Sequence, residues 1–365
     1  MRRYPLIDVM RAFAALLVLV YHVIEIGQWT AFPHSGLLAV FRIGWVGVDL
    51  FFVISGFVIG LSAMQSAQTD AHWRKPFAER RLRRIVPLYL LTCVVCVFLV
   101  DPSVLLRGPE NAAIEISTHL LFIHNLFPRT YYSINGPIWS IALEMQFYLL
   151  VLLTGRRLLH TSVWRVLAVW FGMALIWRYG STLALPPGES LPLEQMMKAM
   201  QLPGVLDAFA VGIGLAKLSM SGRLEPGWRR FLFWSALAAL LLWIAWLTIW
   251  SYTSYWNSAA MIVCWRAVLA AGFAALLAAM VVCPVGGGWP TWPLRYLGVI
   301  SYGIYLWHQA VIWTLFQTTP WRDAQLLAGV LAGTIALAAL SWHGFEKLWL
   351  KEPLKNVPLQ AARSI

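Results

Sequence analysis

Long apolar runs, each interrupted by only a few polar residues, recur along the whole chain. An α-helix rises about 1.5 Å per residue, so a run of roughly 20 residues crosses a hydrocarbon core about 30 Å thick. The pattern predicts an all-α fold, a polytopic membrane helical bundle of about ten transmembrane helices forming a single domain over residues 1–365. The ten predicted spans are 9–27, 45–62, 85–101, 138–153, 163–179, 204–219, 231–250, 258–282, 298–317 and 324–345.

The composition agrees with a membrane protein, and the charges indicate its orientation. Hydrophobic residues make up 60% and charged residues 12% of the chain, whereas soluble domains average roughly half and a quarter. The net charge of +12 is placed unevenly: alternate loops and both tails hold 20 of the 28 lysines and arginines. The positive-inside rule then predicts that the N- and C-termini are both cytoplasmic. This placement makes membrane lipids, and not nucleic acid, the expected partner of the basic residues.

The first predicted span carries Arg11 near its start and His22 near its end. Eleven steps of about 100° bring the two side chains to nearly the same face of the helix, about three turns apart. Ionisable groups inside a span are costly and mark functional paths. We therefore predict that this helix forms one wall of a site that reaches across the membrane.

Three ionisable side chains are expected to meet in one layer near the outer leaflet. Counting residues inward from the outer ends of the first, second and fourth spans places His22, Asp49 and Glu144 at similar depths. We predict that they form the catalytic group, although each is also consistent with a structural ion pair or a hydrogen bond between helices. Arg266 is a candidate counter-ion for a buried carboxylate that the sequence does not identify.

The ninth span carries a polar stripe near mid-membrane. His308, Tyr305 and Ser301 are spaced so that they share one helix face. His308 either lines a pathway or is a hydrogen-bonded histidine of the bundle core.

A basic cluster lies at the cytoplasmic mouth of the third span, where Arg80, Arg81, Arg83 and Arg84 occupy four of five positions. Such a cluster anchors a helix at anionic lipid headgroups. It is equally suited to an anion site, because the guanidinium group binds phosphate through two parallel hydrogen bonds. Because a polar path is predicted to lead from this cluster into the membrane, we expect the cluster to bind a phosphorylated donor from the cytoplasm.

The long outer loop at 102–137 mixes polar and aromatic residues. It suits contact with carbohydrate, and an ordered cap on the bundle is equally consistent with it. Cys93 and Cys96 have the C-x-x-C spacing but lie on a span without a further ligand nearby, so we expect packing roles and no metal site.

Five short motifs occur in order along the chain, from residue 6 to about residue 350. They are Asp8-x-x-Arg11 with His22, Gly47-Val-Asp49, Arg80-Arg81-x-x-Arg84, Trp139-Ser140-x-x-x-Glu144, and Ser301-Tyr302-x-x-Tyr305 with His308. Together they resemble the acyltransferase-3 family of integral membrane acyltransferases.

The resemblance implies transfer of an acyl group, usually acetyl from acetyl-CoA as co-substrate, to a hydroxyl of a carbohydrate. Acceptors in the family include O-antigen, exopolysaccharide and peptidoglycan, and the length of this chain resembles exopolysaccharide and O-antigen acetylases of the bacterial inner membrane. Some relatives append a soluble SGNH-type domain, which we expect to be absent here, and no tightly bound cofactor is expected. We predict that six residues of these motifs line the pathway or the acceptor site: Asp8, Trp139, Ser140, Tyr302, Tyr305 and His308.

The chemistry of transfer from a thioester requires a base for the acceptor hydroxyl and donors to the developing oxyanion. Histidine titrates in the right range, so we predict His22 as the general base, oriented by Glu144 or Asp49. The sequence contains no Gly-x-Ser-x-Gly motif, which argues against an acyl-serine intermediate. Arg11 and the arginines at 80–84 are predicted to bind the phosphates or the pantetheine carbonyls of CoA.

Two other classes fit parts of the pattern. A transporter or flippase for a glycan or a small anion also has about ten helices and polar residues at mid-membrane. A sensor that only binds acylated glycans is a third class. Dependence on an acyl donor separates the enzyme from both.

Overall fold

The computed structural model describes residues 4–106, 108–185, 192–224, 227–249, 252–283 and 291–350. These residues form helices joined by turns and loops, with no β-strand among them, which confirms the predicted all-α fold. The helices are α1 Pro5–Ile26, α2 Gly47–Thr69, α3 Arg74–Val95, α4 Ser103–Leu106, α5 Pro109–Leu120, α6 Trp139–His160, α7 Val163–Ala184, α8 Pro192–Ala199, α9 Leu206–Met220, α10 Trp228–Ile249, α11 Arg266–Val282, α12 Trp292–Val299, α13 Ser301–Thr318, α14 Asp323–Ser341 and α15 Lys347–Leu350.

Within the described ranges, nine stretches are long and apolar enough to cross a membrane, and they coincide with nine of the ten predicted spans. The tenth prediction, 298–317, falls on α13, an 18-residue helix that carries polar side chains along its length. The chain is therefore a multi-pass membrane protein. The cytoplasmic location of the two termini stays a prediction, and residues 1–3 and 351–365 lie outside the described part.

Helix α1 lies at the centre of the bundle, where it packs against α2, α11, α12, α13 and α14. Its apolar side chains, such as Val18 and Leu19, are completely buried. Arg11 and His22 of α1 are partly buried among these helices, as expected for charges at membrane depth.

Helices α2 and α9 cross at unusually close range because each presents a glycine to the backbone of the other. A methyl group added at Gly56 would lie 2.3 Å from the carbonyl oxygen of Phe209, and one at Gly212 would lie 2.3 Å from that of Val53. Small residues at a crossing let two helices approach until their backbones touch, which is how helices associate in lipid.

Replacing Gly212 with valine should therefore cost about 3 kcal/mol of stability, because the added carbons overlap with the α2 backbone and force the helices apart. Thermal unfolding of the purified protein in detergent measures this. Gly172→Val is the matched control, since nothing lies within 4 Å of a methyl group added to that helical glycine. Equal losses in both variants would show that the cost comes from helix propensity and not from the crossing.

The side chain of Arg178, on α7, is fully buried. It donates to Asp207 at 2.7 Å and to the carbonyl oxygens of Gly204 and Val263, both at 2.9 Å. These bonds join α7 to α9 and to the turn before α11. A buried charge needs this degree of compensation, so Arg178 acts as a structural cross-link.

The connection between α3 and α6 forms a cap with a polar interior. His119 and His124 are buried and their rings stack with centroids 4.1 Å apart. Burial lowers the pKa of both histidines, and for His124 the adjacent His119 ring lowers it further, to about 3. For these residues the structure agrees with the ordered-cap interpretation of the 102–137 loop.

The neutral histidine pair predicts that the protein loses stability in acid. A histidine in the unfolded chain titrates near pH 6.5, whereas folded His124 titrates near 3, so acid protonates the unfolded state first. The stabilisation is complete above about pH 6.5 and falls by about 1.4 kcal/mol per pH unit for His124 as the pH drops toward 3. Thermal unfolding between pH 7.5 and 4.5 should show this slope reduced in His124→Gln and retained when the exposed His34 is replaced by glutamine. An unchanged slope in His124→Gln would contradict the assignment.

Candidate active site

A stripe of side chains on α13 runs from the interior of the bundle to its surface. It consists of Ser301, Tyr305, Gln309, Trp313 and Gln317, which follow one another at intervals of four residues, one helical turn apart. Each of them lines at least one of three neighbouring cavities. The stripe is about 24 Å long, most of the thickness of a hydrocarbon core. We call the Ser301 end inner and the Gln317 end outer.

The inner cavity, of about 430 Å³, is lined by basic side chains at its mouth. They are Arg11, Arg80, Arg81 and Arg84. Arg83 is exposed and does not line it. The structure therefore brings together four of the five residues predicted to bind the donor.

Aromatic rings hold two of these arginines in place. The Arg84 guanidinium lies 5.2 Å from the ring centre of Trp342 and forms a 3.8 Å ion pair with Glu346. The Arg81 guanidinium lies 5.5 Å and 5.9 Å from the ring centres of Phe77 and Tyr148. Stacked arginines keep their donor groups in the ring plane free for an anion.

Glu144 lies in the inner cavity, and its predicted place in one layer with His22 is wrong. Its carboxylate accepts hydrogen bonds from Ser55 at 3.0 Å and from Tyr148 at 2.8 Å. Glu144 therefore packs against α2 at Ser55, six residues and about 9 Å along that helix from Asp49. The packing of α6 on α2 determines this position, and the sequence pattern does not contain it.

The central cavity, of about 230 Å³, contains the edge of the His22 ring. Its Nδ1 lies 3.2 Å from Nε2 of His308 and 3.0 Å from the carbonyl oxygen of Val18. His308 is buried, and its own Nδ1 lies 2.6 Å from the carbonyl oxygen of Tyr305. The group that orients His22 is thus His308, where the sequence analysis had named Glu144 or Asp49.

These contacts determine the tautomers of both rings. A carbonyl oxygen can only accept, so Nδ1 of His308 carries a proton and its Nε2 has the lone pair. Nδ1 of His22 therefore carries a proton that it shares between the carbonyl oxygen of Val18 and Nε2 of His308, which leaves the lone pair of His22 on Nε2. A neutral imidazole with a free Nε2 and a bonded Nδ1–H is the arrangement that a general base requires.

Asp49 also lines the central cavity, but it is bound to Arg266 at 2.5 Å. Both side chains are buried, and the Arg266 guanidinium lies 4.8 Å from the ring centre of Trp45. The predicted counter-ion role of Arg266 is confirmed, and its partner is Asp49. The second carboxylate oxygen of Asp49 has no hydrogen-bond partner among the described residues.

The inner and central cavities meet at two side chains, Tyr305 and Val48, which line both. The Tyr305 hydroxyl donates to the carbonyl oxygen of Pro137 at 3.0 Å and lies 2.7 Å from the hydroxyl oxygen of Ser140. One hydrogen-bonded tyrosine therefore separates the arginine-lined cavity from His22.

The other residues predicted to line the path are divided between the two cavities. Ser140 and Tyr302 line the inner cavity and Trp139 lines the central one. Asp8 lines neither, and its backbone carbonyl packs against Gly298 of α12. Gln309 was not predicted, although its spacing of four residues from Tyr305 is a signal for it. In the described ranges no group of three His, Cys, Asp or Glu side chains converges as metal ligands would.

Comparison with known proteins gives one family and several relatives. The family model described as an acyltransferase domain, that of the acyltransferase-3 family, matches residues 4–343. A Bacillus subtilis protein, YrhL, is 28% identical over 95% of this chain and 55% of its own length. The peptidoglycan O-acetyltransferase OatA of Listeria monocytogenes is 26% identical over 94% of this chain and 56% of its own.

The O-acetyltransferase OatA of Staphylococcus aureus is likewise 26% identical, over 93% of this chain and 55% of its own length. The chain thus spans about half the length of the curated relatives it matches. No solved structure matches it.

Proposed function

The chain belongs to the acyltransferase-3 family, and from this premise we propose that it is a membrane-embedded O-acyltransferase. It moves an acyl group, acetyl in our proposal, from acyl-CoA to a hydroxyl of an exported or cell-surface carbohydrate. The observation that carries the proposal is the pair of cavities that meet at Tyr305, one lined by arginines and the other by a histidine whose Nδ1 contacts leave the lone pair on Nε2.

The inner cavity suits the donor. CoA carries phosphate groups at one end and its thioester at the other, joined by a flexible arm. Arg80, Arg81 and Arg84 at the mouth provide paired donors for the phosphates. The acyl end then extends past Tyr305 toward His22.

The central cavity suits the chemistry. Nε2 of His22 takes the proton of the acceptor hydroxyl as its oxygen attacks the thioester carbonyl. The tetrahedral intermediate collapses with cleavage of the C–S bond, and the proton on His22 passes to the departing CoA sulfur. His308 stabilises the transient imidazolium by accepting its Nδ1–H, while Arg266, whose Nε–H has no hydrogen-bond partner among the described residues, is the donor on this wall for the oxyanion.

The acceptor in our proposal is a glycan. The name of the Listeria relative states peptidoglycan, and the sequence analysis favours exopolysaccharide or O-antigen. These polymers share the hydroxyl groups that the chemistry needs. We place the protein in the bacterial inner membrane with the inner cavity toward the cytoplasm, where acyl-CoA is made.

Transfer of radiolabel from acetyl-CoA to endogenous glycan in membranes tests the proposal. Label in the glycan of membranes with the wild-type protein, and none with His22→Ala at matched expression, is the expected result. If the wild type transfers no label, the enzyme proposal fails. Movement of glycan without any need for acetyl-CoA would favour the transporter instead.

A further inference from the structure

The outer groove is the third cavity along α13 and the largest, with a volume of about 820 Å³. It shares Tyr132 and Gln309 with the central cavity, so the two are neighbours. Trp313 and Gln317 continue the α13 stripe along its wall. Neither the family motifs nor the proposed donor and base use this groove.

The groove combines aromatic faces with hydrogen-bonding groups. The indole of Trp313 is 41% exposed and the ring of Tyr132 is 38% exposed. Five polar residues share the wall: Asp101, Arg129, Ser133, Asn135 and Gln317. A sugar ring has an apolar face that packs on an aromatic side chain and a rim of hydroxyls that needs polar partners, and this wall offers both.

Gln309 marks the junction of the outer groove with the central cavity. Its Oε1 is buried and has no hydrogen-bond partner among the described residues. A methyl group added at Gly136 would lie 2.1 Å from that oxygen, so the glycine leaves room for the amide. A buried acceptor without a partner is costly, and a hydroxyl or amide of a bound molecule would satisfy it.

We propose that the outer groove binds several sugar units of the acceptor, and that the junction at Tyr132 and Gln309 admits a single hydroxyl to His22. The inference rests on the proposed function and deepens it. The groove has more than three times the volume of the central cavity, which suits an oligosaccharide stretch outside and one reacting sugar inside. The stripe on α13 then follows the order of the reaction, from donor to base to acceptor.

Acceptor kinetics test the groove. Protein reconstituted in liposomes receives radiolabelled acetyl-CoA and graded amounts of glycan extracted from the producing cells. Trp313→Ala should raise the apparent KM for glycan about tenfold, while the KM for acetyl-CoA and the rate at saturating glycan stay unchanged. Trp313→Phe keeps an aromatic face and should restore most of the affinity. Gln317→Leu, an exposed change, tests the same wall should Trp313→Ala fail to accumulate.

Trp321→Ala is the matched control. Trp321 is 40% exposed, lies between α13 and α14 at the same end of the bundle, and lines none of the three cavities. If the KM for glycan in Trp313→Ala and Gln317→Leu equals that in Trp321→Ala, the groove does not bind the acceptor, and the proposed enzyme activity is unaffected. A raised KM for acetyl-CoA would also overturn the proposed role of the groove. Absence of transfer by the wild type would instead remove the proposed function, and the groove with it.

Discussion

Replacing His22 with alanine is expected to lower kcat for acyl transfer by about 10³-fold while the protein remains folded in the membrane. A positioned general base contributes roughly 10²–10⁴-fold to the rate. The alanine variant has no imidazole at the central cavity to accept the proton of the acceptor hydroxyl. The measurement is steady-state transfer by purified protein, with melting temperature as the check on folding. A variant with more than a tenth of the wild-type kcat would remove His22 as the base.

Replacing His308, whose imidazole contacts that of His22, tests the same site. It contacts His22 and not the reacting atoms, so it acts as a positioning residue. His308→Phe removes one of the two acceptors for the His22 Nδ1–H, the other being the carbonyl oxygen of Val18, and should lower kcat about 10- to 100-fold with both KM values unchanged. His308→Gln retains an acceptor oxygen and should recover part of the rate. Equal losses in both variants would indicate a packing role.

Replacing Arg84 with alanine is expected to raise the KM for acetyl-CoA about 10- to 100-fold with little change in kcat. A hydrogen bond between charged groups contributes roughly 1.5–3 kcal/mol, and the guanidinium at the mouth of the inner cavity is lost. The effect should diminish at high ionic strength, because salt screens the attraction between exposed charges. Donor kinetics at low and high salt measure both.

Two variants separate donor binding from structural effects. Arg83→Ala removes a neighbouring arginine that does not line the cavity, so its KM for acetyl-CoA should stay within twofold of wild type. Glu346→Gln removes the ion pair with Arg84 but leaves the positive charge of the arginine in place. If Glu346→Gln raises the donor KM as much as Arg84→Ala, the arginine is structural and the donor site lies elsewhere.

Local periodicity predicted the helices and the faces of their side chains. The run from Arg11 to His22 was predicted to line one path, and the two residues line the inner and the central cavity. These features depend only on residues within a few helical turns of one another, so the local sequence pattern is enough to predict them.

Contacts between residues that are far apart in the sequence could not be predicted from local periodicity. The ring of His308 contacts His22 across 286 positions, and Arg266 contacts Asp49 across 217. Hydropathy assigns such residues to a depth but not to a partner. The position of Glu144 was mispredicted for the same reason, because it depends on the packing of α6 against α2, where Ser55 donates to its carboxylate.

The most direct test of the central claim is to supply the acyl donor to one side of the membrane at a time. Acetyl-CoA is too highly charged to cross a bilayer, so it can be supplied to one face of sealed vesicles carrying the protein and its glycan acceptor. We predict that radiolabel enters the glycan only when acetyl-CoA is added on the side of the arginine-lined inner cavity, as in inverted vesicles, and that His22→Ala transfers none. Equal labelling from either side, or labelling only from the side of the outer groove, would contradict transfer along the α13 stripe.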